Sequence, residues 1–269
     1  MDSRRPAAIL LENVVGFATS NNGADLYTTI ATLNAMGYTC DVLLLDAKYF
    51  VPQSRPRLFV VGFQVALPDA MPWTESRIRP SWVIKFAQSH PGLMMQSARL
   101  QTPDRATETI QAVLEQFAPT DEIWWDVSRM AGFLSSLSPL QAGRLETMRR
   151  SLITTAATAY RRTREGRAVW EIRRDSISGC LRTARGGSSK QSVVLAGQGT
   201  VRIRWMTARE YARLQGAPDL KFGQVSESQA KFALGDAVCV PAVAWLAQRY
   251  LVPVSRTRVG PHEMAETYA

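Results

Sequence analysis

The sequence predicts a mixed α/β fold, because a short apolar strand, an amphipathic helix and two more strands follow one another within about the first 65 residues. The first strand is predicted over 7–11, and the other two over 40–46 and 58–64. These last two indicate a hairpin at the edge of an open sheet. The helix ends at Gly37 and is indicated by apolar residues at helical spacing: Leu26, Ile30, Leu33 and Met36.

Composition narrows the class of protein. The chain has 269 residues, of which 46% are hydrophobic and 20% charged, as expected of a globular protein of one or two domains. Its longest uncharged apolar run, 237–247, has 11 residues, whereas a membrane span needs roughly 18. The apolar stretch at 7–11 is too short for a signal peptide. We therefore expect no membrane association.

Cysteine usage favours a reducing, cytoplasmic location. Cys40, Cys180 and Cys239 are odd in number, lie far apart and form no CxxC or Cys/His spacing. Neither a disulfide framework nor a metal site is therefore expected. Because cysteine outside disulfides is often buried, each of the three is expected to pack in the core rather than to act as a nucleophile.

An arginine-rich segment dominates the charge of the chain. The net charge is +9, and the window 144–174 holds nine arginines against three acidic residues, which gives +6. Arginine without lysine suits the forked recognition of phosphate and guanine, although a solvated helix face would have the same composition. We favour contact with nucleic acid, with Arg161, Arg162 and Arg164 as candidate DNA-binding residues.

Three shorter features add candidate sites. Glu12 follows the first strand, at the end where open α/β sheets build their sites, although an ordinary turn glutamate would occupy the same place. Arg55 and Arg57 stand at alternate positions before a strand, so both could face a ligand or belong to a salt-bridged loop. A glycine-serine loop suits phosphate or base-edge contact, with a plain surface turn as the alternative. Its candidate DNA-binding residues are Arg185, Ser188, Ser189, Lys190 and Gln191.

The C-terminal part contains two helix-start signals. Thr207 to Glu210 and Ser226 to Gln229 both have the pattern of a capping box. The first of these helices, over 207–216, is expected to be structural, with its charged side chains held in internal pairs. Those side chains are Arg209, Glu210 and Arg213.

Five segments occur in an order that resembles the DNA cytosine-5 methyltransferases. They are Glu12-Asn13-Val14, Gly37-Tyr38, the run from Pro52 to Gly62, the run from Met206 to Asp219, and the run from Gly235 to Pro241. The resemblance covers about 1–65 and 175–250, and the stretch between lies where the family keeps its target-recognition region. It implies a partial Rossmann-like methyltransferase sheet, with the C-terminal strands only, plus a less regular target-recognition domain.

The resemblance also implies a domain organisation. Residues 1–75 would form the C-terminal part of the catalytic domain, and 76–220 the DNA target-recognition domain. Residues 221–252 would pack back on the catalytic domain, and 253–269 would form a tail. Prolines between about 67 and 80 mark the first boundary.

Roles of catalytic residues come from the same resemblance. In this family a cysteine thiolate adds to carbon 6 of a flipped cytosine, and carbon 5 then takes the methyl group of S-adenosylmethionine. Glu12 is implied to bind ring nitrogen 3 and the exocyclic amine, and Arg57 to bind the carbonyl oxygen. Arg55 would support Arg57 or hold a phosphate.

The last motif implies residues near the cofactor. Asp236, Ala237 and Val238 lie in the segment that packs against the methyl-donor pocket in this family. Asp236 replaces the asparagine that is usual there. Its carboxylate would meet the cofactor or, as an alternative, cap the helix that starts near 241.

Two parts of the family's pattern do not occur in this sequence. They are the glycine-rich FxGxG turn of the methyl-donor site and the Pro-Cys dipeptide that carries the nucleophile. The chain is therefore expected to be a C-terminal portion, either a subunit of a split enzyme whose partner polypeptide carries the missing motifs, or a truncated reading frame. A parallel neighbour for the strand at 7–11 would then be missing, which favours a partner. The rival interpretation is a non-catalytic DNA-binding module.

Overall fold

The computed structural model describes residues 5–64, 66–67, 70–183 and 190–256. These residues form two compact units. Unit 1 contains the described residues up to 49, those of 56–104 and those from 242 onward, and unit 2 contains 50–55 and those of 105–241. The boundary lies at 104 rather than at the predicted 75.

A three-stranded sheet forms the centre of unit 1. Its strands are β1 (Ala8–Val14), β2 (Thr39–Asp46) and β3 (Pro56–Phe63), in the order β1-β3-β2, with β3 antiparallel to both neighbours. The predicted hairpin of β2 and β3 is thus confirmed. β1 runs further than predicted, because main-chain pairing with β3 continues through Glu12, Asn13 and Val14 whatever the polarity of their side chains.

Helices cover both faces of this sheet. Two 3₁₀ turns, Val15–Ala18 and Ser20–Gly23, lead from β1 into α1 (Ala24–Ala35). The predicted helical stripe is largely confirmed, since Leu26, Ile30 and Leu33 are buried against alternate residues of β3 such as Leu58 and Val60. Gly37 follows the helix and has a φ of +87°, a left-handed conformation that favours glycine.

Residues assigned from sequence to the second domain belong partly to unit 1. Unit 1 also contains a short 3₁₀ turn (Ala47–Tyr49), β4 (Ala70–Met71), α2 (Ser81–Ser89) and β5 (Ser97–Ala98). The expected boundary was wrong because Ile78 and Val83, although they follow the proline-rich stretch, are buried in the apolar clusters around the sheet.

The C-terminal helices pack on the other face of the sheet. They are α7 (Val240–Leu246), a π-helical turn (Ala247–Leu251) and α8 (Val252–Arg256). Leu246, Tyr250 and Val254 are buried beside Leu43 and Phe59. The segment from 242 onward thus packs on the unit 1 sheet, whereas the resemblance implied a return from 221.

The stretch Glu227–Val254 is long and apolar enough, by composition alone, to span a membrane. It is divided, however, because three residues separate the end of α6 (Glu227–Asp236) from the start of α7. Leu234, Leu246 and Tyr250 point into the protein's own apolar clusters. Such packing is typical of core helices in folded domains.

Unit 2 is built on an antiparallel four-stranded sheet of order β7-β6-β8-β9. The predicted irregularity was wrong here, because strands made of alanine, threonine and arginine lack an obvious apolar alternation. Trp125, Phe133, Trp170 and Trp205 form an aromatic core in this unit, with ring centroids 5.0 to 5.9 Å apart. The elements of the unit are a 3₁₀ turn (Ile110–Val113), α3 (Val127–Ser135), α4 (Pro139–Arg149), β6 (Thr155–Arg164), β7 (Arg167–Ile172), β8 (Ser192–Gly197), β9 (Thr200–Trp205), α5 (Ala208–Leu214) and α6.

Candidate active site and nucleic-acid interface

Glu12 and Arg57 meet on one face of the unit 1 sheet. Glu12 lies opposite Phe59 on β3, and Arg57 lies opposite Val14, so the two charged residues are diagonal neighbours on adjacent strands. Nε of Arg57 is 2.7 Å from Oε1 of Glu12, and their side chains are only 15% and 24% exposed. The sheet register therefore brings together the two residues to which the resemblance gave the base-binding roles.

The Glu12 carboxylate retains capacity to bind a ligand. Its Oε1 is shielded from solvent and, within the described part of the chain, makes no hydrogen bond of good geometry besides its ion pair with Arg57. A buried acceptor of this kind gains free energy when a donor reaches it. A carboxylate beside a guanidinium presents an acceptor and a fixed donor side by side, as the polar edge of a planar base requires.

Arg55 has a different environment from Arg57. It is only 3% exposed, and its guanidinium donates to the carbonyl oxygens of Leu181 (2.8 Å), Gly235 (3.1 Å) and Ala237 (2.8 Å) within unit 2. The expectation that Arg55 and Arg57 face the same ligand was wrong, because Arg55 precedes β3 and does not share its alternation. Holding an external phosphate is excluded for so deeply buried a side chain, and the structure supports a positioning role.

Gln53 is a residue whose role the sequence reasoning missed. Its side chain is fully buried, with Nε2 donating to the carbonyl of Leu214 at 2.7 Å and Oε1 accepting from the amide of Leu181 at 3.1 Å. Main-chain hydrogen bonds join Pro52 and Ser54 to Ser178 on either side of it. The available signal was the position of this glutamine, directly after Pro52 in a segment that the family motif had singled out. Gln53 and Arg55 together anchor 50–55 in unit 2.

The helix at 207–216 has the structural role that was expected. Thr207 and Glu210 form the predicted capping box, as do Ser226 and Gln229 at the start of α6. Arg209 donates to the carbonyls of Pro218 and Leu220, and Arg213 to the carbonyl of Val113. Glu210 pairs with Arg204, which is fully buried.

The three residues assigned to the cofactor lie at the end of α6. Asp236 is its last residue and is exposed, as is Val238. The carbonyl of Ala237 accepts from Arg55 and from Nε2 of Gln215. The capping alternative for Asp236 was wrong, because α7 begins four residues later, at Val240.

The arginines of β6 divide between two faces of the unit 2 sheet. Arg162 and Arg164 follow Tyr160 on one face, where both pair with Glu171 of β7. They are 50% and 59% exposed. Arg161 is half-buried and points to the opposite face, in line with the buried alanines of β6. The three therefore do not form one surface, although two of them remain available to a polyanion.

The glycine-serine loop is only partly described. The candidate residues Arg185, Ser188 and Ser189 lie outside the described residues. Lys190 is half-buried. Gln191 was wrongly expected to contact DNA: it is 5% exposed, its side chain lies against Gly179, and its main chain bonds to Met206 and to the Tyr211 hydroxyl.

The expectation that all three cysteines pack in the core holds for only two of them. Cys40 and Cys239 are buried and Cys180 is half-buried. Burial, with the neighbouring carboxylate of Asp41, raises the pKa of the Cys40 thiol to about 12, which keeps it protonated at neutral pH. Among the described residues, no group of His, Cys, Asp and Glu side chains has the geometry of a metal site.

Comparison with known proteins supports the resemblance. The family model described as C-5 cytosine-specific DNA methylase matches residues 1–251. The type II methyltransferase M.NgoBI of Neisseria gonorrhoeae is 25% identical over 249 residues, which are 90% of this chain and 60% of that protein. The type II methyltransferase M1.ScrFI of Lactococcus lactis subsp. cremoris is 24% identical over 257 residues, 95% of this chain and 54% of that protein. The chain thus spans little more than half the length of these curated relatives.

A solved structure shares the fold. The Dnmt2 methyltransferase of S. pombe superposes with a TM-score of 0.52 at 17% identity, over 93% of this chain and 68% of that one. The α/β fold is therefore that of methyltransferase structures. With a family model matched over nearly the whole sequence, the chain belongs to the C-5 cytosine-specific DNA methylase family.

Proposed function

We propose that this chain provides the base-binding half of a DNA cytosine-5 methyltransferase, which transfers a methyl group from S-adenosylmethionine to carbon 5 of a flipped cytosine. The observation that carries the proposal is the Glu12–Arg57 pair, with its shielded carboxylate oxygen. A protein that only binds DNA has no need for a half-buried carboxylate beside an arginine. Family membership and the names of the type II relatives support the same reaction, within a restriction-modification system. A cytoplasmic location is part of the proposal and rests on the cysteine usage alone.

Glu12 and Arg57 would act on the edge of the cytosine ring. The Glu12 carboxyl group binds ring nitrogen 3, and one of its oxygens accepts from the exocyclic amine. Arg57 donates to the carbonyl oxygen. As a thiolate adds to carbon 6, electron density builds on the ring, and a hydrogen bond or proton at nitrogen 3 stabilises that charge. Thymine is disfavoured because it offers a carbonyl where cytosine offers the amine.

The thiolate and the methyl-donor site are proposed to come from residues outside this sequence. S-adenosylmethionine supplies the methyl group when bound. Asp236, Ala237 and Val238 do not amount to a donor pocket, since one carbonyl is already used by Arg55 and Gln215 and the other two residues are exposed. At most, Asp236 and Val238 would line one wall of it.

The free edge of β1 supports a partner for the sheet. Within the described residues β1 pairs with β3 alone, and Leu11 and Val14 are 39% and 53% exposed. An unpaired, partly apolar edge promotes association with another strand. A split enzyme, in which a second polypeptide adds its strands here, explains this edge. A truncated reading frame would leave it exposed and prone to aggregation.

Methyl transfer tests the proposal directly. Tritiated S-adenosylmethionine and duplex DNA would be incubated with the chain alone, and with the chain plus the product of the reading frame upstream of it. We expect label in DNA only in the mixture, lost with Glu12→Gln and kept with Glu108→Gln, which changes an exposed glutamate. Label in DNA with the chain alone would contradict the proposal that the cysteine nucleophile lies outside this sequence. No label in either case, with DNA still bound, would favour the non-catalytic DNA-binding module.

A further inference from the structure

We propose that a pocket between α4 and β7 binds a backbone phosphate of duplex DNA, with Arg144, Arg173 and Arg174 as its donors. The inference rests on the proposed function, because it takes DNA as the partner. The pocket has a volume of about 340 Å³ and lies wholly within unit 2. Its walls also include Gln141, Tyr160, Glu171 and Asp175.

Two of the three donors are fixed in place before any ligand arrives. Nη1 of Arg144 donates to the carbonyl of Ile172 at 3.2 Å. Nε and Nη2 of Arg173 bind both carboxylate oxygens of Asp175, at 2.7 and 2.6 Å. A guanidinium held in this way loses little side-chain entropy when it binds an anion with its remaining N–H groups.

Arg174 supplies the solvent-exposed part of the site. It is exposed, and no ion pair to it is found among the described residues. It follows Arg173 directly in the segment after β7, so its charge is close to the pocket that it lines. An unpaired arginine at the mouth of a pocket with two ordered ones is typical of phosphate sites, where forked donors approach several oxygens at once.

The local charge favours an anion despite the two carboxylates in the pocket wall. Glu171 is neutralised from the other side by Arg164 at 2.7 Å and by Arg162 at 3.4 Å. Burial and the Glu171 carboxylate raise the pKa of the Tyr160 phenol, which therefore stays neutral at physiological pH. Five arginines then stand against two acidic groups, and the cluster has a net charge of about +3.

The arrangement of these charges selects a polyanion over a small anion. Arg162 and Arg164 extend the positive face from Tyr160, at the pocket wall, along β6 toward the exposed turn of the β6–β7 hairpin. A free phosphate would need only the three pocket arginines. A row of cations that continues beyond the pocket matches successive phosphates of one DNA strand. Contacts of this kind position the duplex without reading its sequence.

The salt dependence of DNA binding tests the pocket. The affinity of the full chain for a duplex would be measured between about 50 and 200 mM salt, for wild type, Arg144→Gln, Arg174→Gln and the control Arg105→Gln, an exposed arginine outside the pocket. Each pocket variant should reduce the steepness of the plot of log affinity against log salt by about 0.9. Over this salt range its affinity for DNA should then fall by a factor that is roughly fourfold smaller than for wild type. The loss should be equal for all duplex sequences, and the control should keep the wild-type slope.

Separate outcomes overturn the pocket and the proposed function. If wild type binds DNA but the pocket variants have the slope of wild type or of Arg105→Gln, the pocket is not a phosphate contact. If wild type does not bind DNA, the proposed function fails. An NMR titration with inorganic phosphate, followed at the arginine Nε–H signals, then decides whether the pocket is a small-anion site instead. Equal unfolding midpoints of the variants establish that the slopes report binding.

Discussion

Arg204 of β9 and Glu210 of α5 form an ion pair in which neither side chain is exposed to solvent. Nη1 of Arg204 is 2.8 Å from one carboxylate oxygen, and Nη2 contacts the other. Glu210 also accepts from the amides of Glu115 and Thr207, so the remaining acceptor sites of its carboxylate are used. The guanidinium lies over the rings of Phe117 and Trp124, at 4.8 and 5.7 Å. This network fixes the start of α5 against the sheet of unit 2.

Arg204→Met should destabilise the protein strongly. The change leaves the Glu210 carboxylate buried without its cation, and breaking one side of such a pair typically costs about 3–5 kcal/mol. The free energy of unfolding from urea titration, followed by tryptophan fluorescence, measures the cost. Arg202→Met on the same strand is the control, since Arg202 is only half-buried and is not part of the network. Equal losses of unfolding free energy for the two variants would contradict the stabilising role of the Arg204–Glu210 pair.

Gly235→Ala should disrupt the end of α6, although replacing a glycine inside a helix by alanine ordinarily stabilises the protein. A Cβ at Gly235 would lie 2.5 Å from the carbonyl carbon of Arg182, and main chain cannot move aside as a flexible side chain can. Gly143→Ala in α4 is the matched control, because no atom lies within 4 Å of a Cβ there. We expect a lower urea midpoint for Gly235→Ala and a gain of about 0.5–1 kcal/mol for Gly143→Ala. A neutral Gly235→Ala would show that the close approach is not rigid.

Tyr250→Phe should weaken the packing of the C-terminal helices on the unit 1 sheet. The Tyr250 hydroxyl donates to Oδ2 of Asp41 at 2.9 Å, and this buried carboxylate also pairs with Arg79. Loss of one hydrogen bond to a buried charged group costs about 1–3 kcal/mol. Thermal unfolding of Tyr250→Phe and of the exposed control Tyr27→Phe would be compared. The interpretation fails if both variants unfold at the wild-type temperature.

Local features of the fold could be predicted from sequence. The β2–β3 hairpin and the buried stripe of α1 follow from periodicity, which depends on neighbours in the chain. Both capping boxes follow from residues three apart, because the side chain and amide that bind each other lie in the same turn. The pairing of Glu12 with Arg57 could be predicted only from the family resemblance, since neither strand alone determines the register between β1 and β3.

Features that depend on distant partners could not be predicted. Arg55 was expected near the base, but its acceptors are carbonyls of Leu181, Gly235 and Ala237, which lie 126 to 182 positions further along the chain. Any arginine can bind such carbonyls, so the residue type gave no indication. Gln191 is buried for the same reason, because the strands around it, and not its own loop composition, decide its environment.

The thiol of Cys40 should be unreactive in the folded chain. Its pKa of about 12 results first from burial, so the reactive thiolate is scarce between pH 7 and 9, whereas in the unfolded chain the thiol ionises near its ordinary pKa of 9.0. Iodoacetamide labelling followed by peptide mass spectrometry should therefore modify the half-buried Cys180 in the native chain, and Cys40 only after unfolding. If Cys40 is labelled in the native chain as fast as Cys180, its thiol is not buried, and Cys40 becomes a candidate nucleophile.

The same shift predicts a loss of stability in alkali. The pKa of Cys40 is raised in the folded chain, so between about pH 9 and pH 12 only the unfolded chain releases the thiol proton. The contribution of the protonated thiol to the free energy of unfolding is therefore fully present below about pH 9 and is lost as the pH rises toward 12. The free energy of unfolding of wild type should therefore fall more steeply above pH 9 than that of Cys40→Ala, by up to about 1.4 kcal/mol per pH unit. Cys180→Ala is the control and should keep the wild-type slope. If the wild-type and Cys40→Ala profiles run parallel from pH 8 to 11, the Cys40 thiol is not held protonated by the fold.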